Sequence, residues 1–199
     1  MREPENINEV EVLEVDFLGF IFYSGSQRYI GDNRKSLATI RKCTKTKVGV
    51  FVNEEFDDIV DKAELYKLDY LQLHGNETPD LCEKLRGRGY SVIKAFPIAT
   101  ADDYKITKSY SDCCDYFLFD TKCVGFGGSG QRFDWSLLNE YNGKIPFLLS
   151  GGLTPDSYED LTRYKHPKLA GIDLNSGFEI SPAIKDIDKL KIFINHIRK

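Results

Sequence analysis

Hydrophobic positions along this chain follow two alternating rhythms. Short runs rich in Val, Ile, Leu, Phe and Tyr occupy residues 17–22, 47–52, 70–73, 92–96, 116–120, 146–149 and 171–174. Continuous apolar runs of this length mark strands buried on both faces, as in parallel sheets. Between them, apolar residues recur at the three- and four-residue spacing of a helix with one buried stripe.

Helix punctuation agrees with that alternation. Pro4 stands at a first-turn position ahead of Ile7, Val10 and Leu13. Asn53 can cap a segment carrying Phe56, Ile59, Val60 and Ala63. Thr78-Pro79 opens another, with Leu81 and Leu85 inward and Gly87 or Gly89 as its stop. Asp134 precedes Trp135, Leu137 and Leu138, and Thr154-Pro155 repeats the Thr-Pro device ahead of Tyr158 and Leu161. The last helix carries Ile187, Leu190, Ile194 and Ile197 on one stripe, and weaker helical patterns cover 36–42 and 101–110.

The count is about seven strands and eight helices, beginning and ending on a helix, whereas a (β/α)₈ barrel pairs eight of each. The expected fold is therefore an α/β TIM barrel with its first β-strand missing from this chain, as one domain over residues 1–199. An open sheet is the alternative, but nothing marks a reversal of strand order. A barrel short of one strand leaves two unpaired edges, so self-association through the gap is expected.

Four of the runs end abruptly in polar residues or glycine: His74-Gly75, Asp120-Thr121-Lys122, Ser150-Gly151-Gly152 and Asn175-Ser176-Gly177. The C-terminal ends of parallel strands are where α/β barrels carry chemistry. Gly151-Gly152 and Asn175-Ser176-Gly177 follow the last two strands, whose loops frequently bind phosphate in this fold. Bare N–H groups at a helix end suit an anion. Ordinary glycine turns are the simpler reading of each alone; together on one rim they predict a phosphorylated small-molecule substrate.

Asp120 ends its strand after three hydrophobic residues. A partly desolvated carboxylate there favours its neutral form and is placed for proton transfer. Capping, or pairing with Lys122, is the structural alternative. Asp173 lies within the last apolar run and needs a partner, as a structural bond or to orient ligand. Arg28 can clamp a carboxylate or phosphate in two-pronged fashion, although position alone favours a solvated loop arginine. His74 is expected to line the pocket or to hydrogen-bond structurally rather than to act as acid or base. The loop Gly125-Phe126-Gly127-Gly128-Ser129-Gly130 satisfies G-x-G-x-x-G, yet the acidic residue expected about 20 positions later is absent. A mobile active-site loop is the better reading.

Composition narrows the classes. Net charge is −4 with acids and bases interspersed, which argues against nucleic acid. The apolar run 17–23 is too short to span a bilayer, and no membrane partner is expected. Five cysteines include no C-x-x-C pair. Cys43 and Cys82 read as inert packing, Cys113-Cys114 precede a strand at its non-catalytic end, and Cys123 is reactive if exposed. An odd count without a signal peptide fits free thiols in the cytoplasm, and no metal site or cofactor is indicated.

At this point the residues resemble a known family. Leu18-Gly19-Phe20-Ile21-Phe22-Tyr23 with Ser26-Gln27-Arg28-Tyr29, and Val48-Gly49-Val50-Phe51-Val52-Asn53, resemble phosphoribosylanthranilate isomerases. So do Leu71-Gln72-Leu73-His74-Gly75, Phe119-Asp120-Thr121-Lys122, Gly127-Gly128-Ser129-Gly130 with Phe133-Asp134-Trp135, Leu149-Ser150-Gly151-Gly152-Leu153 and Asp173-Leu174-Asn175-Ser176-Gly177. The resemblance covers essentially the whole chain, in the family's order. It implies a (β/α)₈ barrel of tryptophan biosynthesis that carries out an Amadori rearrangement without cofactor or metal. It makes Asp120 the general acid and Arg28 the holder of the anthranilate carboxylate. It gives the phosphate to the glycine turns at 151–152 and 175–177, and sets His74, Gly128 and Asp173 around the substrate. The family's general base is a cysteine in a Lys-x-Cys-Gly motif just ahead of residues resembling Met1-Arg2-Glu3-Pro4. The expectation is a chain impaired by loss of that cysteine. A non-catalytic sugar-phosphate binder is the alternative; other phosphate-binding barrel enzymes lack their accompanying motifs here.

Overall fold

The computed structural model describes residues 1–31, 34–121 and 135–198. Seven parallel strands form one sheet in strictly sequential order. They are β1 (Phe17–Ile21), β2 (Thr46–Phe51), β3 (Tyr70–Leu73), β4 (Ser91–Ile98), β5 (Tyr116–Thr121), β6 (Phe147–Ser150) and β7 (Leu169–Ile172). All seven apolar runs thus became strands. The last ended early: β7 stops at Ile172, so Asp173 stands just beyond the strand, not within it.

Helices separate the strands: α1 (Pro4–Glu11), α2 (Arg34–Lys42), α3 (Phe56–Tyr66), α4 (Pro79–Gly87), α5 (Tyr158–Arg163) and α6 (Ile187–Ile197). Segments Ala101–Tyr110, Trp135–Glu140 and Pro155–Ser157 are 3₁₀ helices. Thr78 caps α4 as its spacing predicts, accepting from the Leu81 N–H. The expected cap at Asn53 does not form. Glu55 holds the cap position of α3, and Asn53 sits at φ 52° with its side-chain oxygen accepting from Asn76 N–H at 2.7 Å. Left-handed backbone is tolerated by asparagine, and its amide found a better donor across the rim. Asp134, the expected cap of the Trp135 segment, lies outside the described residues.

The sheet is curled. The Phe17 ring of β1 lies 5.1 Å from Tyr70 of β3 and 6.4 Å from Tyr116 of β5, centroid to centroid. Strands four places apart in a flat sheet would stand about 19 Å from each other. Alternate residues of the strands therefore converge on an inner face. A small cluster of Val48, Ile93, Ala95 and Leu118 lies on it, with Phe17, Tyr70, Tyr116 and Leu148 packed around. The larger core lies between sheet and helices, where Phe20, Phe51, Phe117, Phe119 and Phe147 are fully buried.

The outer edges of β1 and β7 carry no strand among the described residues. The two ends of the chain meet through other elements. The side-chain amide of Asn6 in α1 pairs with the Lys185 backbone, Nδ2 donating to its carbonyl at 2.9 Å and Oδ1 accepting from its N–H at 2.7 Å. Lys185 belongs to a small antiparallel pair, β8 (Glu179–Ser181) and β9 (Ile184–Lys185). The Met1 amine donates to the Gly19 carbonyl on β1 at 3.2 Å, and burial pushes its pKa down to about 5. No helix among the described residues is long and apolar enough to cross a membrane.

Candidate active site

A cavity of about 1060 Å³ occupies the inner face of the sheet. Its floor is Val48, Val50, Ile93, Leu118 and Leu148; its mouth is bordered by the C-terminal ends of the strands. It also reaches outward between β1 and β7, past Gly19 and Ala170, to Leu190, Phe193 and Ile194 of α6. Both Gly19 and Ala170 are exposed.

Period-two alternation carries Asp120 inward. Tyr116, Leu118 and Asp120 of β5 all line this cavity, while Phe117 and Phe119 face the helices. The Asp120 side chain keeps 36% of its surface exposed, so it is only partly withdrawn from water. His74, beyond the end of β3, places Nε2 3.5 Å from Asp120 Oδ2. Its Nδ1 lies 3.0 Å from Gln72 Nε2.

A buried pair fixes the loop that carries His74. Glu77 accepts from the N–H groups of Asn53 and Gly75, at 2.8 and 2.9 Å, and lies 3.3 Å from the Lys94 ammonium. Lys94 donates further to the carbonyls of Leu73, Gly75 and Ala95. Both side chains are almost fully buried, and each compensates the other's charge.

The glycine turns sit across the mouth. Gly151 and Gly152 adopt φ 91° and 63°, a backbone that side chains disfavour. Asp173 Oδ2 accepts from the Ser150 hydroxyl at 3.0 Å, giving the carboxylate the partner its position demanded. Asn175 and Ser176 border the same cavity; Gly177 does not, but a Cβ there would collide with the Leu153 carbonyl. Gly177 thus lets the two loops approach each other.

Arg28 reaches the cavity from the loop after β1 and is not a solvated side chain. Its guanidinium holds both oxygens of Glu179, with Nε at 2.8 and 3.0 Å and Nη2 at 2.7 Å. Lys185 adds its ammonium to Asn175 Oδ1 at 2.9 Å, the Leu174 carbonyl at 3.1 Å and Glu179 at 3.4 Å. Burial alone would raise the Glu179 pKa, but Arg28 and Lys185 together hold it below the usual carboxylate range. Burial pushes the Lys185 ammonium down.

One mouth therefore gathers Arg28, His74, Asp120, Gly151, Gly152, Asp173, Asn175 and Ser176. Gly128 lies outside the described residues. Sequence reasoning missed Glu179, Lys185 and Glu77, whose partners lie far away along the chain. The mouth as gathered offers one partly shielded carboxylate, a histidine, an oriented guanidinium and two close-approach turns.

The model of the N-(5'-phosphoribosyl)anthranilate isomerase family matches residues 1–196. This chain belongs to the phosphoribosylanthranilate isomerase family. The isomerase of Parabacteroides distasonis is 55% identical over 199 residues, spanning 99% of this chain and 90% of that protein. That of Phocaeicola vulgatus is 49% identical, spanning 100% and 95%. Among solved structures, the isomerase of Thermotoga maritima superposes with a TM-score of 0.83 at 33% identity, covering 100% of this chain and 95% of that one. A family structure in complex with reduced 1-(o-carboxyphenylamino)-1-deoxyribulose 5-phosphate superposes with a TM-score of 0.80 at 31% identity, with the same coverage.

Proposed function

We propose that this site catalyses the Amadori rearrangement of N-(5-phosphoribosyl)anthranilate to 1-(2-carboxyphenylamino)-1-deoxyribulose 5-phosphate, a step of tryptophan biosynthesis. The observation that carries this reading is the sharing of one cavity mouth by Asp120 and the turns at Gly151-Gly152 and Asn175-Ser176. Asp120 protonates the ribose ring oxygen, and the C1–O bond breaks as the anthranilate nitrogen forms an iminium. A base then takes the C2 proton, and the enolamine tautomerises to the ketone. Arg28, oriented by Glu179, holds the anthranilate carboxylate, the guanidinium's fork matching the planar group. Gly151, Gly152, Asn175, Ser176 and Gly177 form the phosphate cradle. His74 lines the pocket and orients Asp120, Asp173 with Ser150 faces the sugar, and Gly128 joins the substrate-facing set on resemblance alone.

We read residues 1–199 as one domain, with β1 to β7 as seven staves of an eight-stave TIM barrel. The curled sequential sheet and the cavity's opening between β1 and β7 support this. The resemblance assigns the base to a cysteine on the stave that would stand there. Cys43, Cys82, Cys113 and Cys114 are buried and none borders the cavity. A polypeptide of residues 1–199 taken alone should turn over slowly, since general-base steps contribute about 10²–10⁴-fold. Its open edges should pair with a second copy. Free thiols fit a cytoplasmic seat.

The test compares product formation by this chain with that of a version extended by a strand bearing Lys-x-Cys-Gly. Recovery of turnover on extension is expected. Full turnover without the extension refutes the impairment. Tight binding of the reduced product analogue with no turnover in either version replaces the enzyme by a sugar-phosphate binder.

A further inference from the structure

Cys82, Cys113 and Cys114 converge away from the cavity. Cys82 lies in the first turns of α4, and Cys113-Cys114 stand in the turn between the 3₁₀ helix Ala101–Tyr110 and β5. The three sulfurs all lie within 4.8 Å of one another, and all three side chains are buried. Trigonal ligation at a metal–sulfur distance of about 2.3 Å needs sulfurs about 4 Å apart. The cluster is therefore within a small side-chain adjustment of a three-coordinate site. No fourth His, Cys, Asp or Glu joins it among the described residues. That disfavours zinc, which takes four ligands in structural sites. Soft thiolates without oxygen or nitrogen donors select Cu(I).

We propose that Cys82, Cys113 and Cys114 form a three-sulfur binding site for a soft monovalent cation, Cu(I), on the helical side of the sheet.

The neighbouring Cys114 and the Lys94 charge lower the Cys82 pKa despite its burial. Burial pushes Cys113 up to about 11, and the neighbouring Cys82 together with burial raises Cys114. Cys113 donates meanwhile to the Tyr110 carbonyl at 3.5 Å. The thiolate, not the thiol, is the ligand form. Each further thiol that ligates gives up its proton to solvent, so affinity rises with pH. Neither the isomerase chemistry nor its cavity uses these residues, so the site stands or falls apart from that function.

The experiment titrates the full chain, reduced and free of oxygen, with Cu(I) buffered by a chromogenic chelator whose colour reports the metal it has lost. One Cu(I) per chain is expected. Cys82→Ser, Cys113→Ser and Cys114→Ser should each weaken it at least tenfold, and Cys43→Ser with Cys123→Ser should leave it unchanged. One equivalent should also raise the melting temperature of the parent and not that of the serine variants, whose folding is checked by circular dichroism. Failure of the parent chain to take copper from the chelator overturns the proposal. So does uptake that survives replacement of all three cysteines, or loss of uptake in the Cys43/Cys123 variant.

Discussion

Glu179 grips the Arg28 guanidinium through both of its carboxylate oxygens, across 151 residues of sequence. The glutamate side chain is 4% exposed and the arginine 25%. This pair ties the loop after β1 to the start of β8. It also aims a cation at the cavity mouth that would otherwise sample many rotamers. Glu179→Gln should cost about 1.5–3 kcal/mol, the range of hydrogen bonds to charged groups, read as a shift in urea midpoint. Affinity for the reduced product analogue should fall with it.

The same pair sets an acid limb. Glu179 is held below the usual carboxylate range, so its unfolded form binds protons more readily than its folded form. Its contribution is complete above the unfolded value, about pH 4.3, and is lost as pH falls through the lower folded value. Urea midpoints measured from pH 7 downward should drop over that window. In Glu179→Gln the drop should be smaller; an unchanged acid limb would assign it to other carboxylates.

Asp120→Asn keeps the shape of the side chain and removes its proton. Because the carboxylate is a third exposed, the melting temperature should stay within a few degrees. Turnover by the strand-extended chain should fall about 10²–10⁴-fold, with analogue affinity little changed. Loss of analogue affinity with turnover retained would make Asp120 a binding group.

Glu77 and Lys94 form the costlier structural pair. Removing Glu77 leaves a buried ammonium without its counter-charge and strips the Asn53 and Gly75 N–H groups of their acceptor. Glu77→Ala should destabilise by about 3–5 kcal/mol, measured by urea unfolding. Glu77→Ala with Lys94→Met should recover part of that loss, since no charge then remains unpaired.

Gly177→Ala tests the approach of the two glycine turns. The new methyl meets the Leu153 carbonyl, a backbone atom that cannot swing aside. The loops must part, at about 1–3 kcal/mol. Calorimetry should show weaker binding of inorganic phosphate to this variant than to the parent, while Gly87→Ala, where a Cβ meets nothing, should bind as the parent does.

The division between what the chain spells out and what its folding decides follows from interaction range. Apolar runs and three-residue spacings are local, so seven strands and the helices between them could be read directly, as could the Thr78 cap. Residues at strand ends were also legible, because a parallel sheet delivers all of its C-terminal ends to one rim; Asp120, Gly151 and Ser176 needed only that rule. Cooperation between distant residues was not legible. Which carboxylate Arg28 would meet, that Lys185 would reach Asn175, and that Glu77 would be the buried mate of Lys94 depend on how far the sheet curls and where its last loops fall. The three cysteines show the same limit: spacing gave no motif, and only the packing of α4 against the turn before β5 brought their sulfurs together. A charge or thiol finds its partner through space, and sequence distance carries almost no record of that separation.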